Sequence, residues 1–223
     1  MWPVRKQFLV VSILFLILPI SGCATTLKLV PDNRVPHAIV SEWAPPEVLQ
    51  GRVTIKIEAP EIAVARNQFS LKSIRTLEYP ARQMLTEVAD ICAKRWFAEV
   101  NIGSGSADLL LVMSIRDLVY DKGTDIHVWY PITEAHVTVN VMDAGLITYW
   151  SESTSGKQIG NNVKDFRGQT SVTQEHYTQY TRMVYRALLL AVDKAMVDVI
   201  LHVPELRNHL SADDKKWLEQ YRK

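Results

Sequence analysis

Thr173 to His202 form one uninterrupted run in which Tyr177, Tyr180, Val184, Leu188, Ala191, Ala195 and Val199 recur at the spacing of a single helical face. Leu189, Leu190 and Val192 widen that face, so a helix of this length needs a broad apolar surface to lie on. A sheet is the surface the rest of the chain offers. Val53, Ile55 and Ile57 alternate with Thr54, Lys56 and Glu58 from Gly51 until Pro60, the period-2 pattern of a half-buried strand. Leu109, Leu111, Met113 and Ile115 repeat the pattern, with Leu110 and Val112 marking a strand covered on both faces. Val137, Val139 and Val141 repeat it again, and Asp143-Ala144-Gly145 turns the chain into a return strand from Leu146 to Glu152 that bears Trp150. A second helix is expected after Tyr79-Pro80, with Met84, Leu85, Val88, Ile91, Cys92, Trp96 and Val100 on one stripe. Strand, helix, three strands and helix in that order predict an α+β two-layer sandwich: a mostly antiparallel sheet of about four to five strands with two main helices on one face.

The chain begins Met1-Trp2-Pro3-Val4-Arg5-Lys6, and Phe8 to Ile20 is apolar except for Ser12 and Pro19. A charged start followed by a short apolar run reads as an export signal; a spanning helix needs about 20 apolar residues. The run closes on Ile20-Ser21-Gly22-Cys23, which resembles the lipobox of bacterial lipoproteins. That resemblance implies cleavage between Gly22 and Cys23, and diacylglycerol plus an N-acyl chain (commonly palmitate) on the cysteine. It also implies, with Ala24 in place of a retention aspartate, a destination on the inner leaflet of the outer membrane facing the periplasm. No other cofactor is expected. Cys92 then has no intramolecular partner and reads as a buried thiol.

The domain plan that follows is a signal peptide at 1–22, a lipidated Cys23 and extended Pro-rich tether at 23–50, an α+β domain at 51–204 and a short helical tail at 205–223. Pro31, Pro36, Pro45 and Pro46 define the tether, and Val40 and Trp43 could dock on the domain. Ser211, Asp213 and Asp214 open the tail helix, which carries Trp217, Leu218 and Tyr221. Residues 153–171 read as a long polar loop.

Val137 to Gly145 with Tyr149-Trp150, the preceding Ala107-Asp108-Leu109-Leu110 strand, the lipobox and the long final helix together resemble the layout of the YajG, LptE, PelC and CsgG type of outer-membrane lipoprotein. The resemblance implies a non-enzymatic role in assembling or supporting an envelope machine, with a protein partner or a ring of copies.

Chemistry-bearing patterns are sparse. The formal net charge of 223 residues is +1, and without residues 1–22 it becomes −1, so nucleic acid is not a suggested partner. His37, His127, His136, His176, His202 and His209 have no ligand spacing, and no metal site is expected beyond a possible His127–His136 pairing across strands. Gly103-Ser104-Gly105-Ser106 precedes a strand rather than a helix, which is wrong for a phosphate cradle. No nucleophile elbow or phosphate-binding loop occurs, so no catalytic residue is named and the chain is read as not an enzyme. A carboxylate-using envelope hydrolase is the rival, and a lipid- or substrate-binding accessory of an exporter is a third reading. Val128-Trp129-Tyr130-Pro131 reads as a connection between strands after a turn at Asp121-Lys122-Gly123. Trp129, Tyr130, Trp217 and Tyr221 either pack on the core or form an interaction surface.

Overall fold

The structure, a computed structural model, describes residues 26–41, 49–67, 76–105, 108–125, 128–142, 147–160, 174–208 and 210–221. Cys23, Gly22, Trp43 and the 143–145 turn lie outside them. The elements in chain order are β1 (Thr26–Lys28), α1 (Arg34–Val40), β2 (Leu49–Ile57), β3 (Ala63–Asn67), β4 (Thr76–Tyr79), α2 (Ala81–Trp96), β5 (Phe97–Ile102), β6 (Leu109–Asp125), β7 (Val128–Met142), β8 (Thr148–Ile159), α3 (Gln174–His202), α4 (Pro204–Arg207) and α5 (Ala212–Tyr221).

The fold is mixed α/β on one eight-stranded sheet, which corrects the expectation of four to five strands. β6 organises it. One edge of β6 carries β7 in a long antiparallel ladder, and β7 carries β8. The other edge carries two strands end to end: β2 runs parallel to Leu109–Met113, and β3 runs parallel to Val119–Tyr120. β5 extends the sheet beyond β2 in parallel, and β4 and β1 extend it beyond β3. Parallel pairs are therefore as characteristic as antiparallel ones. Parallel neighbours need a crossover, and α2 lies in the connection that carries the chain from β2 to its parallel neighbour β5.

α2 and α3 pack on each other and on the sheet. Trp96, Met84, Leu85 and Val88 from α2 meet Tyr185, Leu188, Val192 and Met196 from α3, with Val137, Val139, Val141, Ile55 and Leu111 of the sheet completing the core. Buried aliphatic and aromatic side chains contribute about 1.5–3 kcal/mol each relative to exposure, so this layer supplies most of the driving force for folding.

β8 reaches α3 more closely than ordinary side chains allow. A Cβ on Gly156 would stand 2.1 Å from the Ala187 carbonyl oxygen and 2.5 Å from the Ala191 nitrogen. Thr154, two residues earlier on the same face, donates from Oγ1 to the Ala191 carbonyl at 2.8 Å. Residues 153–159, expected as loop, are thus strand. Their inward positions are small because the helix backbone lies directly above them.

Three further expectations are corrected. Residues 26–41, within the segment expected as extended tether, carry β1 and α1, and Leu27, Leu29 and Ile39 are buried in the core. α2 ends at Trp96, four residues before Val100, because Phe97 turns extended and the chain enters β5 with no loop between. β6 does not turn at Asp121; it continues to Asp125, and Val128 to Pro131 belong to β7.

Candidate functional site

Trp129 and Tyr130 lie at the start of β7, paired with Thr124 and Gly123. β8 ends at Ile159, opposite Ile132. Among the described residues, β6 and β7 from Pro131 outward therefore pair only with each other, as a two-stranded ribbon. Pro131 suits a place where, among the described residues, one side of β7 has no strand to donate to.

The direction of the ribbon follows from the ladder. Thr26 of β1 pairs Thr76 of β4, Leu77 pairs Ala65 of β3, and the next β3 residue, Arg66, pairs Val119 of β6. β1 runs antiparallel to β6, so the chain enters β1 at the end of the sheet from which the ribbon leaves. Only Ala24 and Thr25 separate Thr26 from Cys23.

Trp217 and Tyr221 have internal partners. Both lie on α5 and are 43% and 38% exposed. Trp217 sits 5.3 Å from Tyr221 and 6.2 Å from Trp96, centroid to centroid, and Tyr221 meets Trp96 edge-on at 5.7 Å. Beneath them lies Asp193, a residue the sequence reading did not single out. Its Oδ1 accepts from Arg95 Nη1 at 2.8 Å and Trp96 Nε1 at 2.9 Å, and its Oδ2 accepts from Tyr221 Oη at 2.8 Å. The side chains of Asp193 and Arg95 are 6% and 10% exposed. Burial, then Asp193, pushes the Tyr221 phenol up to about 12. The cluster fastens α5 to α2 and α3; three donors satisfy one buried carboxylate. Cys92 lies one turn away, buried, with Sγ 3.8 Å from the Leu189 carbonyl oxygen. Burial and then Asp193 raise its thiol well above the ordinary range, so it is an inert core thiol, as its neighbours in sequence suggest.

A groove of about 780 Å³ opens between the α1 entry and the first turns of α2 and α3, lined by Asp32, Arg34, Gln83, Glu87, Tyr177 and Thr181 among others. Arg34 grips Asp32 through Nε and Nη2, both at 2.9 Å, and its hydrogen bond holds the Asp32 carboxyl below the usual range. Tyr185 donates to Glu87 Oε2, and burial, followed by this bond, raises the Tyr185 phenol. An ionised Asp32 is not poised as a proton donor, which requires a raised carboxyl pKa.

Among the described residues no group of three or more His, Cys, Asp and Glu side chains is placed to hold a metal. His136 faces Glu134 at 3.4 Å, and His202 stacks on Trp150 with Nδ1 2.8 Å from the Asp198 carbonyl oxygen. His127 lies outside the described residues. Gly103, at φ +94°, closes the turn after β5 with its N–H on the Ile55 carbonyl, a structural role for the Gly-Ser segment.

No family model matches the chain, and no curated protein matches it. Among solved structures it is similar to a Xanthomonas campestris protein of the DUF330 family, at 12% identity and TM-score 0.45, covering 77% of this chain and 92% of that one. It is also similar to a minor lipoprotein of Acinetobacter baumannii, at 7% identity and TM-score 0.36 over 66% and 86% of the two chains. The PelC dodecamer subunit of Paraburkholderia phytofirmans is matched at 13% identity and TM-score 0.30 over 68% and 91%. Likenesses this loose say nothing about activity, and the functional reading rests on the chain's own residues.

Proposed function

We propose that the protein is a lipid-anchored binding accessory of an envelope or export machine. Cys23 carries the lipid and holds the domain on the inner leaflet of the outer membrane, facing the periplasm. The observation that carries this reading is the Ile20-Ser21-Gly22-Cys23 sequence directly behind a basic start and a short apolar run. The acyl chains add about 0.8 kcal/mol per buried methylene, enough with more than one chain for a stable anchor. Confinement to a surface raises the effective concentration of the domain for a membrane-borne partner, a service that needs no catalysis.

Gentle detergent extraction of the wild type and of Cys23→Ser, followed by crosslinking and mass spectrometry of what co-purifies, tests it. Wild type in the outer-membrane fraction with a defined protein partner or with copies of itself, and Cys23→Ser lost from that fraction, is the expected result. Equal release of both proteins overturns the anchor; a wild type that extracts alone and monomeric overturns the accessory role. A second reading, a substrate-binding accessory, is favoured by the groove beside Asp32 and Glu87 and would show as a ligand retained through purification.

A further inference from the structure

We infer that the β6–β7 ribbon is a second membrane contact, which seats positions 129 and 130 at the headgroup level of the same leaflet that holds Cys23. The inference rests on the reading of Cys23 as lipidated, and extends it to a surface of the folded domain.

The linker is short. The three residue steps from Cys23 to Thr26 span at most about 11 Å, less than the radius of gyration of roughly 16 Å for a domain of this size. With Leu27 buried and β1 paired to β4, the domain cannot swing freely on its anchor. The end of the sheet at which β1 begins must face the bilayer.

The ribbon leaves from that same end. From Val119, level with Thr26 across the ladder, to Thr124, opposite Trp129, five residues rise about 17 Å. Three strand-to-strand steps of ~20–25° rotate β6 by roughly 60–75° relative to β1, which leaves roughly 4–9 Å of that rise along the β1 axis. The reach of Cys23 and the height of positions 129 and 130 thus fall within one plane's thickness of each other. Their lateral separation is about 21–22 Å: about 14 Å from three strand spacings across the sheet, combined at right angles with the roughly 15–16 Å of the rise that the twist turns sideways.

The chemistry at these positions selects the occupant. Trp and Tyr combine a large apolar ring with a polar group and are enriched where hydrocarbon gives way to water. The facing strand carries the charged residues Asp121, Lys122 and Asp125, which hydrocarbon disfavours. The ribbon strands beyond β8 are also shorter than the 9–11 residues a spanning strand requires. The geometry points to an interfacial foot, and not to a transmembrane hairpin.

The test uses the full chain, lipidated in cells and reconstituted into vesicles of phosphatidylethanolamine and phosphatidylglycerol. A nitrobenzoxadiazole label is placed through Trp129→Cys, through Tyr130→Cys as an independent variant, and through Ser151→Cys at the opposite end of the sheet. Cys92 is buried and does not compete for label. Each variant is first shown to melt cooperatively near the wild-type temperature. The expected result is that lipids spin-labelled at the headgroup quench positions 129 and 130 about fivefold more than position 151. Equal, weak quenching at all three positions in a chain that floats with the vesicles overturns the foot and leaves the anchor standing. Shielding of 129 and 130 from aqueous iodide without quenching by lipid shows a protein surface or a second copy there, and also overturns it. A chain that does not float with vesicles removes the anchor, and the foot falls with it.

Discussion

The same two strands behave differently along their length. Between Met142 and Ile132, β7 is paired on both edges and roofed by α3, and Val137, Val139 and Val141 are fully buried. Beyond Pro131, among the described residues, it is paired on one edge only. The inner half is held by what surrounds it, and a change there propagates into a helix. The outer half is held, among the described residues, by one ladder. Hydrogen-bond pairing alone makes a strand; burial on a face makes it part of a core.

That contrast can be broken most severely at Asp193. Asp193→Ala leaves Arg95 buried without its carboxylate and strips Trp96 and Tyr221 of their acceptor, at a cost of about 3–5 kcal/mol. Chemical denaturation should show the loss in the midpoint at unchanged slope. Gly156→Ala comes next, at about 1–3 kcal/mol or more, because its Cβ would meet backbone rather than a yielding side chain. A melting temperature equal to that of wild type would show that α3 can lift from β8 freely, and the contrast drawn above would be lost.

Alkaline pH gives a third handle. The folded Tyr221 phenol is raised to about 12 from an ordinary 10, as is Tyr180, by burial and then by Tyr120. A raised folded pKa gives stability that is whole below about pH 10 and is lost as pH rises through about 12. Stability measured across that window should fall, and Tyr221→Phe should flatten part of the fall while costing about 1 kcal/mol at neutral pH from the lost hydrogen bond. Trp129→Ser should change stability least, within about 0.5 kcal/mol. A large loss there would mean that the ribbon is part of the core after all.

Much of the body was legible from spacing. α3, α2, β2 and the first part of β6 follow apolar periodicity, because each buries a face against the others. β1, β3, β4 and β5 were not legible: they run three to six residues, and their place is set by distant partners rather than by a local pattern. Ser153 to Ile159 hid for a different reason. Its inward residues, Thr154 and Gly156, alternate in size and not in hydrophobicity, since a helix backbone takes the space. The candidate residues divide in the same way. Trp217 and Tyr221 were visible as aromatics, but their partner Asp193 carries no motif. Its one signal is a carboxylate set among the apolar residues from Ala187 to Leu201, where a charge needs a buried partner.

The Asp193 cluster also has a place in time. Arg95 and Trp96 precede the carboxylate in the chain, while Tyr221 follows it by 28 residues. A polypeptide made at about 5–20 residues per second delivers that last donor roughly 1–6 s after Asp193 itself. Until then, α3 has no closing helix over its charged residue. The last helix to be made is the one that closes the carboxylate, so this part of the core can be completed only once the chain has been made as far as Tyr221.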